Sequence, residues 1–189
     1  MQTIENWEVY GLLQSVRASK YPMTVDTEAC TAEITKRTET LASCPMGSGH
    51  DQFLTGIVVQ FDLTLPIKVW VEAQRYHFLD FVSSQSTMHR IMQMDIPSQC
   101  NGYVTIEAIA NVARLVEEYK VDPIPENYLK VLYNIPTGFR LTARMTTNYR
   151  QLKTIYAQRR HHRLPEWREI CAWIETLPYS ELITGKGVE

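Results

Sequence analysis

The sequence predicts an α/β domain, and three features carry that prediction. Residues 57–65 and 139–145 alternate apolar and polar side chains with period two, as strands with one buried face do. Several longer stretches place apolar residues at helical spacing. The chain has 189 residues, 44% hydrophobic and 21% charged, which suits one folded domain over 1–189, with neither internal repeat nor interdomain linker.

In chain order, Trp7, Tyr10, Leu13 and Val16 predict an amphipathic helix from Ile4 to Ser19, broken by Pro22. Asp26 or Thr27 is placed to cap a second helix running through Ala29, Ile34 and Leu41. CPMGSGHD, Cys44 to Asp51, reads as a loop. The clearest strand follows: Ile57, Val59, Phe61, Leu63 and Leu65 alternate with Val58, Gln60, Asp62 and Thr64. Pro66 suits the first position of a helix. That helix is expected to run to about Val82, with Val69, Trp70, Ala73, Tyr76 and Phe81 inward and Lys68, Glu72 and Arg75 on another face.

After a turn at Gln99 to Tyr103, Thr105 caps an expected helix with Ile106, Ile109, Val112, Leu115, Val116 and Tyr119 on its apolar face. A short helix is expected at Tyr128 to Tyr133. Phe139, Leu141, Ala143 and Met145 mark a second strand. Thr146 or Thr147 would cap the helix that follows, with Tyr149, Leu152 and Tyr156 inside. Pro165 opens the last helix, Pro178 ends it, and the tail TGKGVE is expected to fray.

The totals exclude several classes. A net charge of −2 argues against a general nucleic-acid binder, and the basic run Gln158 to Arg163 reads as an exposed face. Glu5 and Glu8 stand where a signal peptide would carry positive charge, and no apolar run approaches a membrane span. Cys30, Cys44, Cys100 and Cys171 are scattered without a C-x-x-C pair, so reduced thiols in a cytoplasm are expected and a metal site is not.

The chemistry concentrates in the stretch Pro66 to Arg90. Arg75, His77, Ser83, Ser84, Gln85, Ser86, His89 and Arg90 crowd its second half, and no other stretch gathers anion-binding and hydrogen-bonding groups so densely. A second group, Asn148, Arg150 and Arg159, follows the second strand. Guanidinium groups bind phosphate through charge-assisted bonds, while Ser and Gln suit the edge of a pyrimidine. The chain has no G-x-S-x-G, P-loop or G-x-G-x-x-G. Ser86 has no base or orienting acid at a telling spacing, so spacing alone does not make it a nucleophile.

Two segments together resemble the flavin-dependent thymidylate synthases, also called thymidylate synthase complementing proteins. The first is GHDQFLTGIVVQFDLTLPIKVWVEAQRYHFLDFVSSQS, in the context where that family carries a His, a strand, a helix, Arg-His-Arg, seven residues and a Ser. The second is IPTGFRLTARMTTNYRQLKTIYAQRR, which is similar to the family's Asn-x-Arg-x-Leu segment and a further Arg nine residues on. Asn148, Arg150, Leu152 and Arg159 fall on those positions. The sequence departs from the pattern at Arg75-Tyr76-His77, and Ser86 comes after eight residues instead of seven.

The resemblance implies a single domain with a central mixed or antiparallel sheet flanked by helices, assembled as a homotetramer. It implies methylation of dUMP at C5, with methylenetetrahydrofolate and NADPH as co-substrates and FAD as cofactor. On that basis His50, Arg75, His77, Asn148 and Arg150 would meet FAD, with Arg150 able to serve either ligand. Ser84, Gln85, Ser86, Arg90 and Arg159 would meet the nucleotide, with Ser86 and Arg159 nearest the chemistry and no covalent adduct on Ser86. The departures leave two alternatives: a related flavin- and folate-dependent C5 modification of another pyrimidine nucleotide, or a non-catalytic nucleotide-binding or assembly protein on the same fold.

Overall fold

The chain was analysed as a computed structural model, which describes residues 2–45 and 47–185. Its centre is a four-stranded antiparallel sheet in the order β1-β2-β4-β3, made of β1 (Ile4–Tyr10), β2 (Val58–Pro66), β3 (Asp80–Ser84) and β4 (Arg140–Asn148). Ten α-helices surround it among the described residues. In chain order they are α1 (Leu12–Ala18), α2 (Lys36–Ser43), α3 (Ile67–Ala73), α4 (Thr87–Arg90), α5 (Ile96–Gln99), α6 (Ile106–Val121), α7 (Pro125–Tyr133), α8 (Tyr149–Arg159), α9 (Pro165–Ile174) and α10 (Glu181–Thr184).

The two strands with clean alternation form the middle of the sheet. β2 and β4 pair in unbroken register from Val58 opposite Asn148 to Pro66 opposite Arg140. Their inward residues, including Val59, Phe61, Leu63, Leu65, Ala143 and Met145, are buried with α3, α8 and α9 in the main core. Arg144 spans the sheet, pairing with Asp62 on β2 and Glu8 on β1. A second core lies under α5, α6 and α7, where Ile91, Val112, Val131 and Phe139 are fully buried. Leu141 packs against both cores.

The helix expected from Ile4 to Ser19 is instead β1 followed by α1. Gly11, at φ 72, turns the chain in a left-handed conformation that costs glycine little. Trp7, Tyr10 and Leu13 are exposed, so their helical spacing reports no core. A register shift between Glu5 and Glu8 erases the period-two signal of the real strand.

The second expected helix is confined to Lys36–Ser43, capped by Thr35 in a capping box with Thr38. Asp26 does cap, but only the single 3₁₀ turn Thr27–Ala29. The third stops at Ala73, not Val82. After a turn the chain enters β3, and Phe81, expected inside, is exposed. Asn148, rather than Thr146 or Thr147, caps α8, its side chain accepting from the Gln151 N–H at 2.9 Å. The predicted α6, α8 and α9 are present, with Thr105 capping α6. Ile106 is exposed at the start of its helix. Of the tail, Thr184 closes α10 and Gly185 follows it, while residues 186–189 lie outside the described residues.

Candidate functional site

β4 runs into α8 without a loop, and the site is built on that junction. Asn148 is the last residue of the strand and the cap of the helix. Asp51, fully buried beneath the first turns of α8, accepts from Arg150 Nε at 3.1 Å and Lys153 Nζ at 3.0 Å. A carboxylate taken out of water needs such partners. Lys153 also donates to the carbonyls of Ala42 and Cys44, fastening the end of α2 to α8.

Two cations against one carboxylate leave this locus net positive. Because Arg150 spends only Nε on Asp51, its two terminal nitrogens have no partner among the described residues. Arg150 lines a cavity of about 390 Å³ with Gln52, Thr55, Phe78, Asn148 and Gln151. Tyr149 lies buried below and donates to the Pro178 carbonyl at 2.5 Å. Burial, reinforced by Glu181, pushes its phenol well above the usual tyrosine range, so it stays neutral. An anion at the start of α8 would meet the free end of Arg150 and the helix's positive pole together.

Phe78 brings the next part of the site. The turn between α3 and β3 carries Arg75, His77 and Phe78, and Thr147 Oγ1 on β4 donates to the Phe78 carbonyl at 2.7 Å. This clamp holds the turn beside Asn148. Arg75 and His77 are exposed, and His77 lines a neighbouring cavity that shares Phe78. Their side chains have no hydrogen-bond or ionic partner among the described residues. His50 is exposed in the turn that ends at Asp51. Asn148 and Arg150 thus line one cavity and His77 the one that shares Phe78 with it, while His50 and Arg75 line neither.

The remaining sequence-predicted residues lie elsewhere. Gln85 is committed to the sheet: its N–H donates to the Thr142 carbonyl and its Oε1 accepts from the Thr142 N–H, each at 2.9 Å. Ser84, Ser86 and Arg90 form no side-chain bond among the described residues. Ser84 is exposed at the end of β3, and Ser86 precedes α4, where Arg90 is exposed.

Arg159 sits at the opposite end of α8, about 16 Å from Asn148 at the helical rise per residue. It is enclosed. Its Nη1 donates to Glu72 Oε2 at 3.0 Å, its Nε donates to Tyr76 Oη at 2.7 Å, and its guanidinium lies 4.6 Å from the centre of the Trp167 ring. Trp167 Nε1 donates to the same Glu72 oxygen at 3.1 Å. Among the described residues no hydrogen bond joins Ser86 to Arg159, whose partners are Glu72, Tyr76 and His162. The groove beside Ser84 and Gln85 is lined by Trp70 and Val71 of α3, while the cavity by Gln158 and His162 is lined by Lys68 and Glu72 of the same helix.

Asp51, Lys153, Glu72 and Phe78 were not legible as site residues. The triplet Gly49-His50-Asp51 gave the only hint of the first, and Glu72 looked like a surface partner of Lys68. No group of three or more His, Cys, Asp or Glu among the described residues could hold a metal, and no described helix is long and apolar enough to cross a membrane.

No protein-family model matches the chain, and no curated protein sequence matches it either. Solved structures do. One is the flavin-dependent thymidylate synthase ThyX from Helicobacter pylori complexed with FAD and dUMP, with a TM-score of 0.71 and 13% identity over 98% of this chain and 99% of that one. A second structure of thymidylate synthase X from the same organism, also with FAD and dUMP, gives 0.70 and 14% over 96% of each chain. Along nearly its whole length the chain has the flavin-dependent thymidylate synthase fold.

Proposed function

We propose that the chain is a flavin-dependent enzyme that methylates dUMP at C5, taking the carbon from methylenetetrahydrofolate and reducing equivalents from NADPH. The reading is carried by the cavity at the start of α8, on a fold shared end to end with a protein solved with FAD and dUMP. The residues present fit a flavin dinucleotide there: the free end of Arg150 and the pole of α8 suit its phosphates, and Asn148, Gln52 and Gln151 offer amide partners. Bound FAD would supply hydride chemistry. His50, Arg75, His77, Asn148 and Arg150 would hold it.

Ser84, Gln85, Ser86, Arg90 and Arg159 would receive the nucleotide. Ser86 would hydrogen-bond it without forming an adduct, and Arg159 would neutralise its phosphate on exchanging Glu72 for the ligand. With no bond joining Ser86 to Arg159 among the described residues, the nucleotide site would be completed across copies, in keeping with a homotetramer. Four free cysteines suit a cytoplasmic setting.

One observation favours a second reading. Arg159 is already neutralised by Glu72, as in a nucleotide-binding or assembly protein that has lost the chemistry. A change of substrate base, to dCMP, is the variant within the first reading. The test is a visible spectrum of purified protein after FAD is added and excess removed, followed by incubation with dUMP or dCMP, methylenetetrahydrofolate and NADPH and mass analysis of the nucleotides. A yellow protein and a methylated dUMP are expected. A yellow protein that converts only dCMP moves the assignment to that base. A colourless protein with no C5-substituted product overturns the enzyme reading.

A further inference from the structure

Phe78 combines three properties that packing does not account for. It is 66% exposed, it has φ 60, and it lines two adjoining cavities of about 570 and 390 Å³. The left-handed conformation is costly for a residue with a Cβ, and bulky side chains rarely adopt it. Glycine or asparagine would make the same turn with less strain. Strain of this kind persists where the surroundings enforce it. Here the enforcing group is Thr147, buried in β4, whose hydroxyl holds the Phe78 carbonyl. Among the described residues the ring stacks on no other aromatic side chain.

The other residues lining the cavity narrow the ligand. Arg150 presents its unpaired terminal nitrogens from a net-positive locus, and Asn148, Gln52 and Gln151 present amides. An aromatic ring in one cavity with cationic and amide groups suits a molecule that is planar and aromatic at one end and anionic at the other.

We propose that Phe78 is the stacking wall of this site, receiving a planar ring of a flavin dinucleotide while Arg150 takes a phosphate. Thr147 is the positioning residue that aims it. The proposal rests on the flavoenzyme reading above and adds a binding residue to it.

The experiment titrates FAD, FMN and ADP into wild-type protein, Phe78→Gly and Phe78→Tyr. It follows flavin fluorescence and, for ADP, heat of binding, with melting temperature and assembly size recorded for each variant. Wild type and Phe78→Tyr are expected to bind FAD with quenched fluorescence. Phe78→Gly is expected to bind about 10-fold or more weakly, as loss of one stacked ring predicts. Its melting temperature should be equal or higher, because glycine accepts φ 60 freely. Weakened FMN along with FAD assigns the stack to the isoalloxazine; weakened ADP along with FAD, with FMN unchanged, assigns it to the adenine; either supports the proposal. Wild-type affinity and quenching in Phe78→Gly would overturn it. So would weakened binding accompanied by a lower melting temperature or a changed assembly size, which would make the ring a packing or contact residue. Wild-type protein that binds no FAD fails at the earlier reading, a result separable from these.

Discussion

Asp51 lies in a place water does not reach, and two cations from α8 hold its carboxyl group there. Removing one partner of a buried pair strands the others. Asp51→Ala should therefore lower the free energy of unfolding by about 3–5 kcal/mol, measured by urea denaturation. Lys153→Met should cost less, since Asp51 keeps Arg150. Cys171 offers a test of a different kind. Burial, with Glu175 nearby, raises its thiol from 9.0 to about 11. An acid whose folded pKa is raised contributes stability that is fully present below its unfolded pKa and lost as pH climbs through the folded one. The window is thus pH 9 to 11. Stability should fall across it in wild type and fall less in Cys171→Ala, by denaturation at stepped pH. Neither residue announced itself in the sequence. A cysteine with an apolar neighbourhood in space and an aspartate with two cations in space look like any other until the chain is folded.

At the scale of elements, the sequence was legible where a side chain's period is set by a face that is buried along its whole length. β2 and β4 alternate cleanly because one face of each meets the main core, and α8 and α9 repeat because each lays a stripe against it, as α6 does against the second core. β1 and β3 lie at the two edges of the sheet. All five residues of β3 are exposed, so nothing in their order distinguishes strand from helix. The break after β1 rests on Gly11, where an added Cβ would come within 2.5 Å of the Gly56 carbonyl oxygen. Gly11→Ala combines that clash with left-handed strain. It should destabilise by about 2 kcal/mol or more, from the cost of one strained residue with overpacking added, as read from chemical denaturation.

Across the whole molecule, the turn that carries Arg75 and His77 is held beside Asn148 by the Thr147–Phe78 bond, while Arg159 is closed by Glu72. Helix α8 places Asn148 and Arg159 at opposite ends, and the cavities beside Ser84 and beside Gln158 are lined by different residues of α3. Spacing along a chain reports which face of an element a residue occupies; it does not report whether two elements turn their faces toward one another. Hence the closure of Arg159 by Glu72 was not foreseeable from spacing. If the nucleotide site is shared between copies, native mass spectrometry should find a species four times the 21.9 kDa chain mass. A monomer would remove the arrangement that brings Ser86 to Arg159.

The separation of the two cores has a consequence for how the chain breathes. The α5–α7 lobe leaves the sheet after β3 and rejoins it at β4, with Leu141 packed into both interiors and its carbonyl held by Trp70 Nε1 at 3.1 Å. Such a lobe can open while β2 and β4 stay zipped, because few of its contacts cross that junction. Deuterium uptake should show the amides of α6 and α7 exchanging together through this partial opening, hours ahead of those in the central strands. Leu141→Ala should speed exchange in α6 and α7 further, by loosening a side chain that both halves grip.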